Sequence, residues 1–140
     1  MIEERLIKRK LTKLKEYLKE LQPFVEILLR DYISEYKNKR TVERDIQLIV
    51  ECACDINNHI LMETQERPPK DYYSSFTDLS KIKVLPQKFA STIAETAGLR
   101  NRLVHEYEEI KDNIVYENIG NVLRLYKKYT DYIIKYLEKI

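Results

Sequence analysis

At 140 residues the chain is long enough for one helical core and short of two domains. Its 44% apolar and 34% charged residues, with two glycines, four prolines and no tryptophan, exclude collagenous, disordered and disulfide-framework classes. The formal net charge of +2 does not by itself mark a nucleic-acid binder, because phosphate attraction follows clustered rather than total charge.

No apolar run approaches the length of a membrane span, and Met1-Ile2-Glu3-Glu4-Arg5 lacks the apolar core of a signal peptide. The expectation is a single domain over residues 1–140, cytoplasmic and without a membrane partner. Ile7, Leu11, Leu14, Leu18, Leu21, Val25, Leu28 and Tyr32 recur at alternating steps of four and three, the stripe of an amphipathic helix. Pro23 interrupts it. An interior proline removes a hydrogen bond and clashes with the preceding turn, so the helix kinks or restarts near Gln22, and the unbroken phase favours a kink. Asn38 to Arg40 reads as a polar turn, with Thr41 capping the next helix.

Val42, Ile46, Ile49, Ala53, Ile56 and Ile60 repeat the same spacing and predict a second core stripe. Glu51, Asp55 and His59 fall at steps of four on another face, a column that either supports a site or forms a solvated ladder. Cys52 and Cys54 point about 200° apart on a helix, which suits neither a disulfide nor chelation of one metal. They read as buried or half-buried thiols. With His59 and His105 the only histidines, no zinc spacing is present, and a site without metal or cofactor is expected.

Thr64 to Ser75, with Pro68-Pro69 and Tyr72-Tyr73, breaks the periodicity and reads as the longest loop. Ser75-Phe76-Thr77-Asp78 suits the capped start of a short helix reaching about Val84, and Pro86 suits the first turn of another, carried by Phe89, Ile93 and Ala97 to Gly98. Asp112-Asn113 opens a last helix, with Val115, Ile119, Val122, Tyr126, Tyr129, Ile133, Tyr136 and Ile140 on its seam. Aromatic rows can stack bases, but tyrosines that coincide with a seam read as core with the hydroxyl reaching water. The sum is an all-α protein, an antiparallel up-and-down bundle of four to five main helices.

Between the last two helices lies GLRNRLVHEYEEI, Gly98 to Ile110, which gathers an arginine, an amide, an imidazole and a phenol within eight residues. If residues 100–107 are largely helical, Asn101 and His105 share a meridian and Arg100 flanks them, so all three can meet one phosphodiester. His105 can move a proton near neutral pH, and Arg100 can hold phosphate with a rigid fork of donors that keeps its charge. Leu99, Leu103 and Val104 can anchor the segment in the core while the polar residues face a groove. The same spacing also arises as a surface arginine beside a satisfied histidine.

Arg100-Asn101-Arg102-Leu103-Val104-His105-Glu106-Tyr107 resembles the R-x4-H-x-Y signature of the HEPN superfamily, specifically its HepT-like toxins. Residues 43–51 and 55–60 resemble that family's second block, and the resemblance covers nearly the whole chain. It implies a HEPN-like bundle in which Gly98 lies within a continuous helix. It also implies a metal-independent ribonuclease acting on tRNA or mRNA, with Arg100, Asn101 and His105 catalytic and Arg102, Glu51 and Asp55 supporting. The implied assembly is a homodimer whose motif helices line one cleft. The implied partner is a MntA-like nucleotidyltransferase antitoxin, in a type VII-like pair, that transfers AMP onto the motif tyrosine, Tyr107. Because the superfamily includes non-catalytic members, a nucleotide-binding, docking or assembly subunit for a nucleotidyltransferase is the other implied role.

Overall fold

The computed structural model describes residues 3–65 and 67–140 and contains α1 (Glu4–Leu21), α2 (Leu29–Ser34), α3 (Tyr36–Gln65), α4 (Tyr72–Lys81), α5 (Gln87–His105) and α6 (Asp112–Lys139). Among the described residues there is no strand. The expected all-α bundle is therefore the fold. Helix α3 is its spine: α1, α2, α4, α5 and α6 all pack on it, and α4 lies along α5. Burial on several of its sides, by Val42, Ile46, Ile49, Val50, Cys54, Ile56, Asn57 and Leu61, is what a helix surrounded by neighbours requires.

Helix α1 buries Ile7, Leu11, Leu14, Leu18 and Leu21 as its periodicity predicts, and then stops. Gln22–Glu26 tightens into a 3-10 turn with Pro23 near its start, and Ile27 and Leu28 are extended. The chain restarts where a kink was expected. Continuity of phase misled because Val25 and Leu28, 40% and 55% exposed, do not belong to the core, whereas Tyr32 is fully buried after the restart. The break is pinned from α6, where the Tyr116 hydroxyl donates to the Ile27 carbonyl and its ring tilts against Tyr32 at 5.5 Å.

Two boundaries lie earlier than expected. Helix α3 begins at Tyr36, so Asn38 to Arg40 forms its first turns and Thr41 lies inside it and does not cap it; polar residues without glycine or proline can continue a helix. Helix α4 begins at Tyr72, capped by Asp71, whose carboxylate accepts the Ser74 N–H at 2.7 Å. Ser75 is consequently buried inside the helix. Its hydroxyl donates to the Tyr72 carbonyl and accepts from Asn57 Nδ2 at 3.0 Å.

A polar thread runs through this core. Tyr129 is fully buried, with its hydroxyl 2.6 Å from Asn57 Oδ1 and 3.1 Å from the Ala53 carbonyl. Tyr126, equally buried, pairs with Thr96 at 2.7 Å. The expectation that these tyrosines are core holds, but their hydroxyls find protein partners instead of water. Burial pushes both phenols well above 10, and each buried hydroxyl that lost its partner would carry a desolvation cost. Cys52 and Cys54 are buried free thiols, pushed up by burial to about 11 and about 12.

Candidate functional site

The final turns of α5 carry the motif. Leu103 is buried and Leu99 packs against the core, which fixes this end of the helix. Gly98 does not break the helix, and a Cβ built on it meets nothing within 4 Å, so it serves no close packing either. Asn101 and His105 are exposed one turn apart, and Arg100 is half-buried beside them.

Arg100 is clamped on three sides. Its Nε donates to Glu51 Oε2 at 2.9 Å with Nη2 2.7 Å from the same oxygen, Nη1 donates to Asn101 Oδ1 at 3.1 Å, and the guanidinium carbon sits 4.7 Å from the centre of the Tyr72 ring. Gln47 Nε2 donates to the same Glu51 oxygen at 3.0 Å, steadying the carboxylate from one turn earlier on α3. A guanidinium carries five N–H donors, and two of them make these hydrogen bonds, so N–H groups on Nη1 and Nη2 remain for a ligand. Burial raises the Tyr72 phenol above its ordinary value, while Arg100 opposes the rise. Stacking of this kind contributes about 0.5–2 kcal/mol and holds the guanidinium plane.

The acidic column on α3 divides. Glu51 reaches Arg100, whereas Asp55 pairs with Lys10 Nζ of α1 at 3.2 Å, so the structure brings only the first to the motif. Arg102 is half-buried, and no ion pair with it is formed among the described residues. Tyr72 and Gln47 were not singled out from the sequence. Gln47 sits four residues before Glu51, a spacing that puts the two on one face. Tyr72 had no such signal, because it was read as part of a loop.

Tyr107 is not on the helix. Helix α5 ends at His105; Glu106 leaves helical geometry with its N–H still on the Arg102 carbonyl at 2.8 Å. The Glu109 and Ile110 amides then close a turn on the Glu106 carbonyl, and buried Ile110 pins it. The expected helix over residues 100–107 thus stops two residues short. Tyr107, 53% exposed, lines a recess of about 270 Å³ with Arg40, Glu43, Arg44, Gln47 and Leu103. A larger cleft of about 620 Å³ adjoins it, bordered by Lys39, Lys111 and Asp112. Among the described residues no cluster of three or more histidine, cysteine or carboxylate groups could hold a metal ion, and no helix is long and apolar enough to cross a membrane.

Comparison with known proteins gives one answer. The family described as ribonuclease HepT-like matches residues 14–133. The tRNA nuclease HepT of Aphanizomenon flos-aquae is 38% identical over 136 residues, 97% of this chain and 92% of that protein. The mRNA nuclease HepT of Shewanella oneidensis is 29% identical over 71% of this chain and 78% of its own. Among solved structures, a tri-AMPylated HEPN toxin of Shewanella oneidensis in complex with an MNT antitoxin superposes with a TM-score of 0.83 at 26% identity, covering 92% of this chain and 96% of that one.

Proposed function

The chain belongs to the ribonuclease HepT-like family, and on that footing we propose that it is a metal-independent RNA endonuclease, the toxin of a type VII-like toxin–antitoxin pair. The observation that carries this reading is the oriented guanidinium of Arg100 beside exposed Asn101 and His105 at one end of α5. In the proposed reaction the ribose 2′-oxygen attacks phosphorus and the bond to the 5′-oxygen breaks. His105 accepts the 2′-hydroxyl proton or donates a proton to the departing oxygen. Arg100, through its remaining N–H donors, stabilises charge on the phosphoryl oxygens. Asn101 has its Oδ1 on Arg100, which leaves its Nδ2 to reach substrate or imidazole. Glu51 holds Arg100 in place, with Tyr72 and Gln47 behind it.

A single imidazole does not readily act as base and acid on one bond, so the proposed enzyme is a homodimer whose two motif ends supply both. Incubating the purified chain with tRNA should release fragments ending in a 2′,3′-cyclic phosphate, and their absence under all conditions would count against the reading.

The proposed control rests on Tyr107, whose phenol stands exposed on the turn after α5. A MntA-like nucleotidyltransferase would transfer AMP to it, with the phenolic oxygen attacking the α-phosphorus of ATP and pyrophosphate leaving. Each AMP adds bulk and a negative charge next to the groove. Intact mass after incubation with the partner and ATP should rise on the wild type and not on Tyr107→Phe. One observation favours the alternative of a non-catalytic docking subunit: the Glu51 carboxylate already offsets the Arg100 charge. That subunit would bind the nucleotidyltransferase and show no cleavage in any variant.

A further inference from the structure

At the far end of α5 from the motif, where the α4–α5 turn meets the last turns of α6, a second concavity opens. Its volume is about 420 Å³, and its walls include Lys83, Lys135, Lys139, Tyr132, Tyr136 and Gln87, with no aspartate or glutamate. That volume falls within the roughly 300–1,000 Å³ of pockets that take small molecules. Among the described residues no carboxylate pairs with any of the three lysines, whereas neighbouring Lys81 is held by Asp78 at 3.2 Å. Tyr132 is braced by Phe89, with ring centroids 5.0 Å apart. Tyr136 is half-buried and has no aromatic partner among the described residues.

Lys83 has a φ of 63°, the one positive value at a non-glycine residue among those described. It follows α4 at the left-handed position that glycine ordinarily fills: its N–H reaches the Ser80 carbonyl at 3.1 Å and the Val84 N–H reaches the Leu79 carbonyl at 2.9 Å. A side chain in this conformation is a local cost that glycine would avoid while closing the same turn. The residue that bears it is an exposed lysine on the wall of the cleft.

We propose that this cleft is a second contact for single-stranded RNA, remote from the motif, in which a base lies against Tyr136 and Tyr132 and the adjoining phosphates against Lys83, Lys135 and Lys139. Lysines that track a backbone beside an open aromatic face form a sequence-tolerant single-strand site. Clustering of this kind supplies what the total charge of +2 does not. Identifying the RNA as substrate rests on the nuclease reading above; the binding does not. The rise along Gln87–His105 separates the two ends of α5 by about 27 Å, so a strand that occupies both sites must be several nucleotides long.

The test is fluorescence anisotropy of labelled oligouridylate, about twelve nucleotides long, on the full chain carrying His105→Ala to prevent cleavage. Lys83→Gln with Lys135→Gln should weaken binding about tenfold or more and lower the salt slope by about 1.4, the loss of two phosphate contacts. Tyr136→Ala should weaken it about tenfold and Tyr136→Phe not at all, with melting curves showing that each variant is folded. Wild-type affinity and salt slope in the double lysine variant, or no binding by the parent chain, would overturn the inference. In the cleaving enzyme the same lysine changes should raise KM for tRNA, leave kcat unaltered and leave trinucleotide cleavage unaffected. Binding through the lysines without any cleavage would sink the nuclease reading alone; cleavage indifferent to the lysines would sink this one alone.

Discussion

The Glu51–Arg100 contact offers the sharpest perturbation. A hydrogen bond of 2.9 Å and an ion-pair contact of 2.7 Å join α3 to α5, and both side chains are largely shielded, Arg100 at 17% and Glu51 at 26% exposed. Unit charges about 4 Å apart interact by roughly 4 kcal/mol at an effective dielectric of about 20, and desolvation offsets much of that, so a coupling of about 1–2 kcal/mol is expected. Glu51→Ala and Arg100→Ala should each destabilise the fold by about 1–3 kcal/mol, and the double variant by less than their sum. Urea unfolding of the four proteins measures this. Cleavage should separate the partners. Losing Arg100 removes a charge donor at the phosphate and should cost about 10²–10³ in kcat, the size of effect seen for oxyanion donors. Losing Glu51 only disorients that donor and should cost about tenfold, and nothing further once Arg100 is gone. If Glu51→Ala lowered stability as expected but left cleavage unchanged, the claim that Glu51 positions the guanidinium would be refuted.

Three other outcomes follow from the packing. Gly98→Ala should raise stability by about 0.5–1 kcal/mol, because a methyl there meets nothing within 4 Å and the helix gains propensity; urea midpoints check it, and a loss of stability would contradict the open space. Tyr129→Phe should cost about 1–3 kcal/mol by leaving the fully buried Asn57 amide oxygen without its hydroxyl donor, read in the same way. Asp45 is buried, and its carboxyl is pushed up to about 7, first by burial and then by hydrogen bonding and repulsion from Glu20. Because the folded pKa exceeds the unfolded value of 3.8, the contribution is present in full below about pH 4 and lost as pH rises through about 7. Asp45→Asn should therefore be more stable than the wild type at pH 8 and little different at pH 4, measured by melting across that range.

The bundle was legible because its long helices bury regular stripes: the first five members of the α1 seam and the first six of the eight in the α6 seam are buried, while Tyr136 is half-buried and Ile140 exposed. Boundaries were less legible. Pro23 spoke for a break, but Val25 and Leu28 continued the phase by composition alone, and only tertiary packing shows that they face solvent. At α4 the cap is Asp71 and not the expected Ser75, whose hydroxyl is occupied in the core by Asn57.

The motif was visible as residues and spacing, and Arg100, Asn101 and His105 do share one end of α5. Its support was only half visible. The column Glu51 and Asp55 offered two carboxylates to one arginine, and Lys10 on another helix decides which is left for it. Tyr72 reaches the guanidinium because α4 begins three residues before the expected start, something local sequence did not reveal. Tyr107 lies off the helix because buried Ile110 draws the chain into a turn, which separates the proposed modification site from the proposed acid-base face.

One rate decides whether the exposed imidazole and the clamped guanidinium serve a single phosphodiester: single-turnover cleavage of tRNA by His105→Ala at a folded fraction equal to the wild type. The account predicts a fall of at least about 10², with Arg100→Ala falling comparably. Wild-type rates in His105→Ala would contradict it.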